Sequence, residues 1–254
     1  MITSLSNSKI KLVRALARRK ERYAEKKFIV EGVRLVEEAA NANIVPAFVL
    51  HTASADDDSR AHALLELFRV TIDVLAVSDS VMKEISNTET PQGILAVVPF
   101  IELPLPVSPQ FVLILDAVRD PGNVGTIMRS ARAAGVDEII FASSSADPYN
   151  DKVVRAAMGT HFYLPMRAMA WKEIEAIRES ISRVYLADAN GEVEYTRADW
   201  SRPIALIVGG EAEGASEDAK QIATARVSIP MRGGAESLNA AMAATVLLFQ
   251  AAHS

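Results

Sequence analysis

The residues of this chain that could do chemistry gather in three glycine-containing turns, each leaving an apolar run. The first is "AVRDPGNVGTIMRSARAAG", residues 117–135, directly after "FVLILD". The second is "LIVGGEAEGAS", residues 206–216, and the third is "SIPMRGGAESLNAAMA", residues 228–243. A strand-to-helix turn rich in glycine can cradle phosphate on its backbone amides. The first turn, however, lacks the glycine spacing of a dinucleotide fingerprint, and it carries no phosphate-loop lysine. It offers Gly122 for a tight turn, Asn123 as a helix cap, and Arg129 nearly two turns further on. Ile127, Ser130, Ala131 and Ala134 form a packing face that Gly135 ends. Arg129 reads here either as a surface cation, as Arg132 does, or as a functional guanidinium. Each later turn taken singly is explained as a strand-to-helix connection. Together they bring backbone amides to adjacent strand carboxyl ends, where open parallel sheets bind ligands.

These turns must be held by a folded scaffold, and the composition provides one. A chain of 254 residues with 50% hydrophobic residues can bury one large core or two modest ones. With no cysteine there is no disulfide framework, thiolate metal site or thiol nucleophile, and the four scattered histidines give no metal spacing. No metal is expected. The opening "MITSLSNSKIKLVRALARRK" is too polar for a secretory signal, and no run approaches a membrane span. A soluble chain in a reducing cytoplasm is the expectation.

Charge is unevenly spread. Residues 1–34 hold ten cations, among them Lys9, Lys11, Arg14, Arg18, Arg19, Lys20 and Arg22, against Glu21, Glu25 and Glu31; the segment is +7 and the remainder −12, within a net −5. Ile10, Val13, Leu16 and Ala17 fall at helical spacing, so "IKLVRALARR" predicts an amphipathic helix with a basic outer face. That face is either a solvated surface or a grip on nucleic-acid phosphates. Tyr23 and Phe28 beside it could stack on bases or pack in the core.

The proline-rich "PFIELPLPVSPQ", with Pro99, Pro104, Pro106 and Pro109, predicts an extended linker. It divides the chain into residues 1–103 and 104–254. Upstream, "FIVEG", "AFVLH", "DVLAVS" and "GILAVV" read as strands among helical patterns such as "RLVEEAANA" and "RAHALLELF". Downstream, "FVLILD", "EIIFAS", "RVYLAD", "IALIVGG" and "RVSIP" alternate with "VGTIMRSARAAG", "KVVRAAMG", "WKEIEAIRES" and "SLNAAMAATVLLFQAA". Near-continuous apolar strands alternating with helices predict an α/β fold with a parallel sheet covered on both faces. In the last helix Leu238, Ala241, Met242, Leu247, Leu248 and Phe249 leave little polar face, which predicts burial. His161, before "FYLP", reads as a loop-to-strand residue rather than a base.

In their order the three motifs "RDPGNVGTIMRSARAAG", "IVGGEAEGAS" and "VSIPMRGGAESLNAAMA" resemble those of the SpoU (TrmH-like) branch of the SPOUT RNA ribose 2′-O-methyltransferases. "DKVVRAAMGTHFYLP" resembles the segment between the first two, and the catalytic resemblance covers roughly residues 111–254. "FIVEGVRLVEEA" and "TETPQGILAVV" are similar to the family's substrate-binding domain, itself like a ribosomal protein fold. The resemblance implies a deep trefoil knot, which periodicity alone never suggests because knots are nearly absent from proteins. It also implies a homodimer and S-adenosylmethionine as cofactor, held by Gly209, Gly210, Glu211, Gly214, Ile229, Met231, Ser237 and Leu238. The catalytic set it implies is Asn123, Arg129, Glu211, Ser237 and Asn239, with Asn123 orienting Arg129. RNA is the implied partner, ribosomal rather than transfer RNA, and Arg129 is its contact within the motifs; the basic face read from charge adds Lys9, Lys11, Arg14, Arg18 and Arg19 as expected RNA contacts. A transfer RNA methyltransferase and a catalytically silent RNA-binding protein of the same fold are the alternatives. In one place the chain departs from the family: Gly210 stands before Glu211 where asparagine is usual, which removes an amide and predicts a looser loop. Ser237 has a second reading as the N-cap of the final helix.

Overall fold

The computed structural model of the chain describes residues 1–142, 144–211, 214–234 and 236–253. Before the proline-rich segment come α1 (Ser8–Leu16), α2 (Arg19–Glu25), β1 (Lys27–Glu31), α3 (Val33–Asn41), β2 (Phe48–His51), α4 (Ala53–Asp56), α5 (Ser59–Arg69), β3 (Val74–Ala76), α6 (Asp79–Ile85) and β4 (Ile94–Pro99). After it come β5 (Phe111–Asp116), α7 (Pro121–Ala133), β6 (Glu138–Phe141), α8 (Asp151–Ala157), β7 (Met166–Ala168), α9 (Trp171–Glu175), β8 (Arg183–Ala187), β9 (Val193–Glu194), β10 (Ile204–Gly209), α10 (Glu217–Ile222), β11 (Ala225–Ser228) and α11 (Ala240–Ala252). They form two compact units, Met1–Ile101 with Tyr149–Phe162, and Glu102–Pro148 with the chain from Tyr163 onward.

This partition differs from a single cut at 103/104, because residues 149–162 pack with the first unit. The reason is apolar. α8 buries Val153, Val154 and Ala157, and Val154 and Phe162 join a core with Phe28, Val30 and Leu35. The ring of Tyr149 stacks on Phe100 with centroids 3.8 Å apart. His161 is 1% exposed, with its ring centroid 5.6 Å from that of Phe28. Phe28 is core too, whereas Tyr23 is exposed beneath the Arg19 guanidinium at 5.3 Å.

In the first unit the sheet order is β1-β4-β2-β3, antiparallel except for β2 beside β3. Alternation along β4 explains why both faces are covered: Ile94, Ala96 and Val98 enter one core while Leu95 and Val97 enter the other. The second core takes Ile10, Val13 and Leu16 from α1. Lys11 and Arg14 then point to solvent. The helix stops at Leu16 rather than running on through Arg19, and α2 starts afresh. Arg22 accounts for the join: it is buried and donates through Nη1 to the carbonyls of Leu16 and Ala17, both at 2.8 Å. These are orphan acceptors at a helix end, so this cation is structural.

The second unit has the parallel order β7-β6-β5-β10-β8-β11-β9 among the described residues. β5 is buried throughout, as is β10 until its last residue. Because every strand runs the same way, the turns after β5, β8, β10 and β11 emerge at one edge. α7 and α11 are joined by a 2.7 Å hydrogen bond between the Ser130 and Thr245 hydroxyls. Gly135 ends the first of these helices at φ +74°, a left-handed conformation that suits glycine.

Candidate active site

Which residues cap the two helices decides which side chains remain for chemistry. α7 is capped by Asp120, whose carboxylate accepts from the Asn123 amide at 2.7 Å, with Pro121 in the first turn. Asn123 is therefore not the cap. Its carboxamide is turned toward the other turns, donating through Nδ2 to Glu211 Oε1 and accepting at Oδ1 from Asn239 Nδ2 at 3.0 Å. Asn239 in turn caps α11, its Oδ1 accepting from the amides of Ala241 and Met242 at 2.9 and 3.3 Å. Ser237 is exposed and is not the cap.

Asn123 thus does not orient Arg129. Six residues along an α-helix correspond to about 9 Å of rise and about 240° of rotation, which places the two side chains on different faces. Arg129 is exposed and forms no hydrogen bond or ion pair among the described residues. It stands as an unengaged guanidinium on α7, with Arg132 nearby over the Tyr163 ring at 3.7 Å.

The edge turns enclose a cleft of about 460 Å³, within the range of small-molecule sites. All eight residues expected to meet a cofactor line it: Gly209, Gly210, Glu211, Gly214, Ile229, Met231, Ser237 and Leu238. Asn239 lines it as well, while Val208, Val227, Ala243 and Leu247 supply apolar wall. The mixture of apolar surface, main-chain polar groups and few charges fits a nucleoside with an apolar substituent better than a polyphosphate, for which no cationic side chain lines the cleft among the described residues. Ala187, Asp188 and Ala189, where β8 ends, complete the lining. Sequence reading passes over them, although an acid directly after the apolar run "RVYLA" is a usable signal.

Gly210 behaves differently from the expectation of a looser loop. A Cβ there would lie 2.3 Å from the carbonyl oxygen of Ala117, itself at φ +54°. The turn after β10 is pressed onto the turn after β5, backbone to backbone. Two further ties hold it: Gly209 pairs in register with Asp116, and the Asp116 carboxylate, 1% exposed, accepts from the Ser216 amide at 2.6 Å. Removing the Cβ permits this approach.

The basic segment is partly committed. Lys9 pairs with Asp73 at 2.8 Å and lies 4.6 Å from the centre of the Phe48 ring. Arg18 makes a 3.4 Å contact with Glu21. Lys11, Arg14, Arg18 and Arg19 are exposed.

Restoring the family's usual asparagine, Gly210→Asn, is expected to destabilise the protein by roughly 1–3 kcal/mol, the range for forcing atoms into packed space. Urea denaturation measures this, and a variant as stable as wild type would refute the close-approach account.

Comparison with known proteins follows the same partition of motifs. The family profile described as SpoU rRNA Methylase matches residues 110–249, and that described as MRM3-like substrate binding domain matches residues 7–96. The chain is 34% identical over 249 residues to the Bacillus subtilis 23S rRNA (guanosine(2553)-2'-O)-methyltransferase RlmP, covering 98% of this chain and 97% of that protein. It is 33% identical over 252 residues to the Streptomyces viridochromogenes 23S rRNA (uridine(2479)-2'-O)-methyltransferase, covering 93% and 86%. The crystal structure of the SpoU methyltransferase AviRb from Streptomyces viridochromogenes, in complex with AdoMet, superposes with a TM-score of 0.86 at 30% identity over 97% of each chain. By motif order, architecture and likeness over nearly its whole length, the chain belongs to the SpoU rRNA methylase family.

Proposed function

We propose that this protein transfers a methyl group from S-adenosylmethionine to a ribose 2′-hydroxyl of 23S ribosomal RNA, in the cytoplasm. One observation carries the reading at the level of the site: the Asn123 carboxamide joins Glu211 and Asn239, so the three motif turns meet at the cleft. Family membership supplies the reaction class. The two relatives named above act on guanosine and on uridine at almost the same identity to this chain. What is shared is therefore recognition of ribose and RNA shape rather than of one base.

The cofactor would be held by main-chain groups of Gly209, Gly210 and Ile229 against the apolar wall that includes Leu238. Bound there, it supplies an electrophilic methyl on a sulfonium, whose sulfur leaves uncharged. The protein's own part is alignment of the ribose oxygen, which can account for much of the acceleration. Asn123, Glu211, Ser237 and Asn239 make the polar rim that positions the acceptor. A guanidinium offers donors only and no acceptor for a proton, so Arg129 is not assigned as the base; it clamps a substrate phosphate bidentately. The proton of the 2′-hydroxyl passes to solvent or to a phosphate oxygen.

The finer architecture belongs to the same reading. A trefoil knot is supported by the path of the chain: β11 lies beyond β8, yet α11 returns to pair with α7 through Ser130 and Thr245. A first unit like a ribosomal protein is supported by the match at residues 7–96 to a substrate-binding domain. A homodimer is supported by α11, where Met242, Val246 and Phe249, at successive helical turns, are 59%, 36% and 39% exposed. The helix is apolar all round, so these side chains suit burial as well as Leu247 and Leu248, which are buried. Sedimentation equilibrium should return twice the chain mass for wild type and a single-chain mass for Met242→Asp combined with Phe249→Asp; a monomeric wild type would count against the dimer.

The acceptor atom is tested directly. Replacing only the target nucleotide by its 2′-deoxy form should abolish methyl transfer while costing little binding, and the normal product should resist alkaline cleavage on its 3′ side. Continued methylation of the deoxy substrate would show a base to be the acceptor.

Arg129 and the basic face separate in one assay. Arg129→Lys should lose roughly a hundredfold in turnover, because lysine cannot reproduce a planar fork. Cofactor affinity should stay unchanged. Truncating the first 27 residues would strip Ile10, Val13 and Leu16 from a core, so the surface is better tested by changing Lys11, Arg14, Arg18 and Arg19 together to Gln. That variant should flatten the dependence of log RNA affinity on log salt by about 0.7–0.9 for each phosphate the face no longer neutralises. An unchanged slope would make the basic face a solvated surface.

A further inference from the structure

β8 lies between β10 and β11 in the sheet, and the second and third motif turns leave from those two neighbours. The residue that follows β8 therefore stands between the turns, at the floor of the cleft. That residue is Asp188. Its backbone is locked on the β11 side, its amide donating to the Val227 carbonyl at 3.0 Å, and its own carbonyl accepts from Gly191 at 3.0 Å. One carboxylate oxygen accepts from the Asn190 amide at 2.8 Å, an arrangement that turns the chain away from the sheet.

The other oxygen is lightly used. Among the described residues it meets Arg226 Nη1 alone, at 3.5 Å, the far limit of a hydrogen bond. Arg226 is committed elsewhere, its Nε donating to Glu192 at 3.0 Å. Glu192 is held below the usual carboxylate range, chiefly by the Arg226 backbone amide. Asp188 thus lines the cleft with a side chain that is 26% exposed and whose carboxylate keeps unspent acceptor capacity. The other acid lining the cleft among the described residues, Glu211, already accepts from Asn123.

We propose that Asp188 is the receptor for the cofactor's ribose, its lightly used carboxylate oxygen accepting from the vicinal hydroxyls of the adenosyl group. A rigid acceptor on a strand end suits donors fixed on a ring, and a carboxylate makes a stronger bond to them than a neutral group does. Parallel-sheet nucleotide sites use an acid on ribose hydroxyls in the same way. The inference rests on the reading that this cleft holds the adenosyl cofactor, and it makes Asp188 a binding residue outside all three motifs.

Calorimetry on the full chain tests it with three probes: S-adenosylhomocysteine, 5′-methylthioadenosine, which lacks the amino-acid end, and the 2′,3′-dideoxy form of the latter. Asp188→Asn keeps an oxygen for the Asn190 amide, and Asp188→Ser keeps a hydroxyl for the turn, so both variants should melt with wild type when unliganded. Each should weaken S-adenosylhomocysteine and 5′-methylthioadenosine by the same factor, roughly ten- to a hundredfold. The dideoxy probe should bind wild type and variants equally. Unchanged affinity for S-adenosylhomocysteine would overturn the proposal, as would a loss confined to it, which would put the carboxylate on the amino-acid end. Failure of the wild-type chain to bind any of the probes would instead remove the reading of the cleft on which the proposal stands.

Discussion

One carboxamide holds the site together. Asn123 has a donor and an acceptor on a single short side chain, and it uses the first on Glu211 and the second on Asn239. Those partners lie 88 and 116 residues away along the chain. Neither an acid nor an amine could replace it, since a carboxylate only accepts and an ammonium only donates. Asp120 takes the cap of α7 by accepting from the Asn123 amide, and the Asn123 carboxamide is left for the other two turns. Asn239 does double duty, capping α11 with its oxygen while its nitrogen reaches Asn123. The start of the last helix and the polar rim of the cleft are therefore one structure.

Beneath that rim the backbone sets the heights of the turns. β10 pairs with β5 in register as far as Gly209 and Asp116. Beyond the paired residues, the contact of Gly210 with the Ala117 carbonyl leaves no room for a side chain. A buried Asp116 carboxylate then ties down the far end of the same turn through the Ser216 amide. A carboxylate that is 1% exposed persists only when hydrogen bonds satisfy it, so the turn and the acid stabilise each other. The chain's departure from the usual family motif at Gly210 accordingly tightens the junction of two turns.

In the first unit the same logic separates structural from available charge. Ten cations in the first 34 residues look alike on paper. Arg22 is spent on the end of α1, and Lys9 on Asp73 and the Phe48 ring. Lys11 and Arg14 face solvent because α1 turns Ile10, Val13 and Leu16 inward, and Arg18 and Arg19, at the start of α2, are exposed as well. The unit also takes in residues 149–162, chosen by apolar packing of Val154 and Phe162 rather than by position in the chain.

Much of the fold is legible locally. Apolar runs such as "FVLILD" and "IALIVGG" become β5 and β10, and the helical spacing of Ile10, Val13 and Leu16 becomes the buried face of α1, because burial follows a short period that one segment carries by itself. The short β7, β9 and α10 escape such a reading, since two or three residues of strand, or two turns of helix, carry no period to read. The order of the three motifs is enough to identify the family and the cofactor. What only tertiary structure decided were the partnerships: Asp120 rather than Asn123 as cap, Asn123 with Glu211 and Asn239 rather than with Arg129, His161 in a core, Asp188 on the floor of the cleft, and Met242 and Phe249 left exposed on a helix apolar enough to be buried. Hydrogen bonds are made by whichever groups the sheet order brings within about 3 Å, and that order places β10 and β8 side by side with β5 and β11 on their flanks, a neighbourhood that no single stretch of sequence contains.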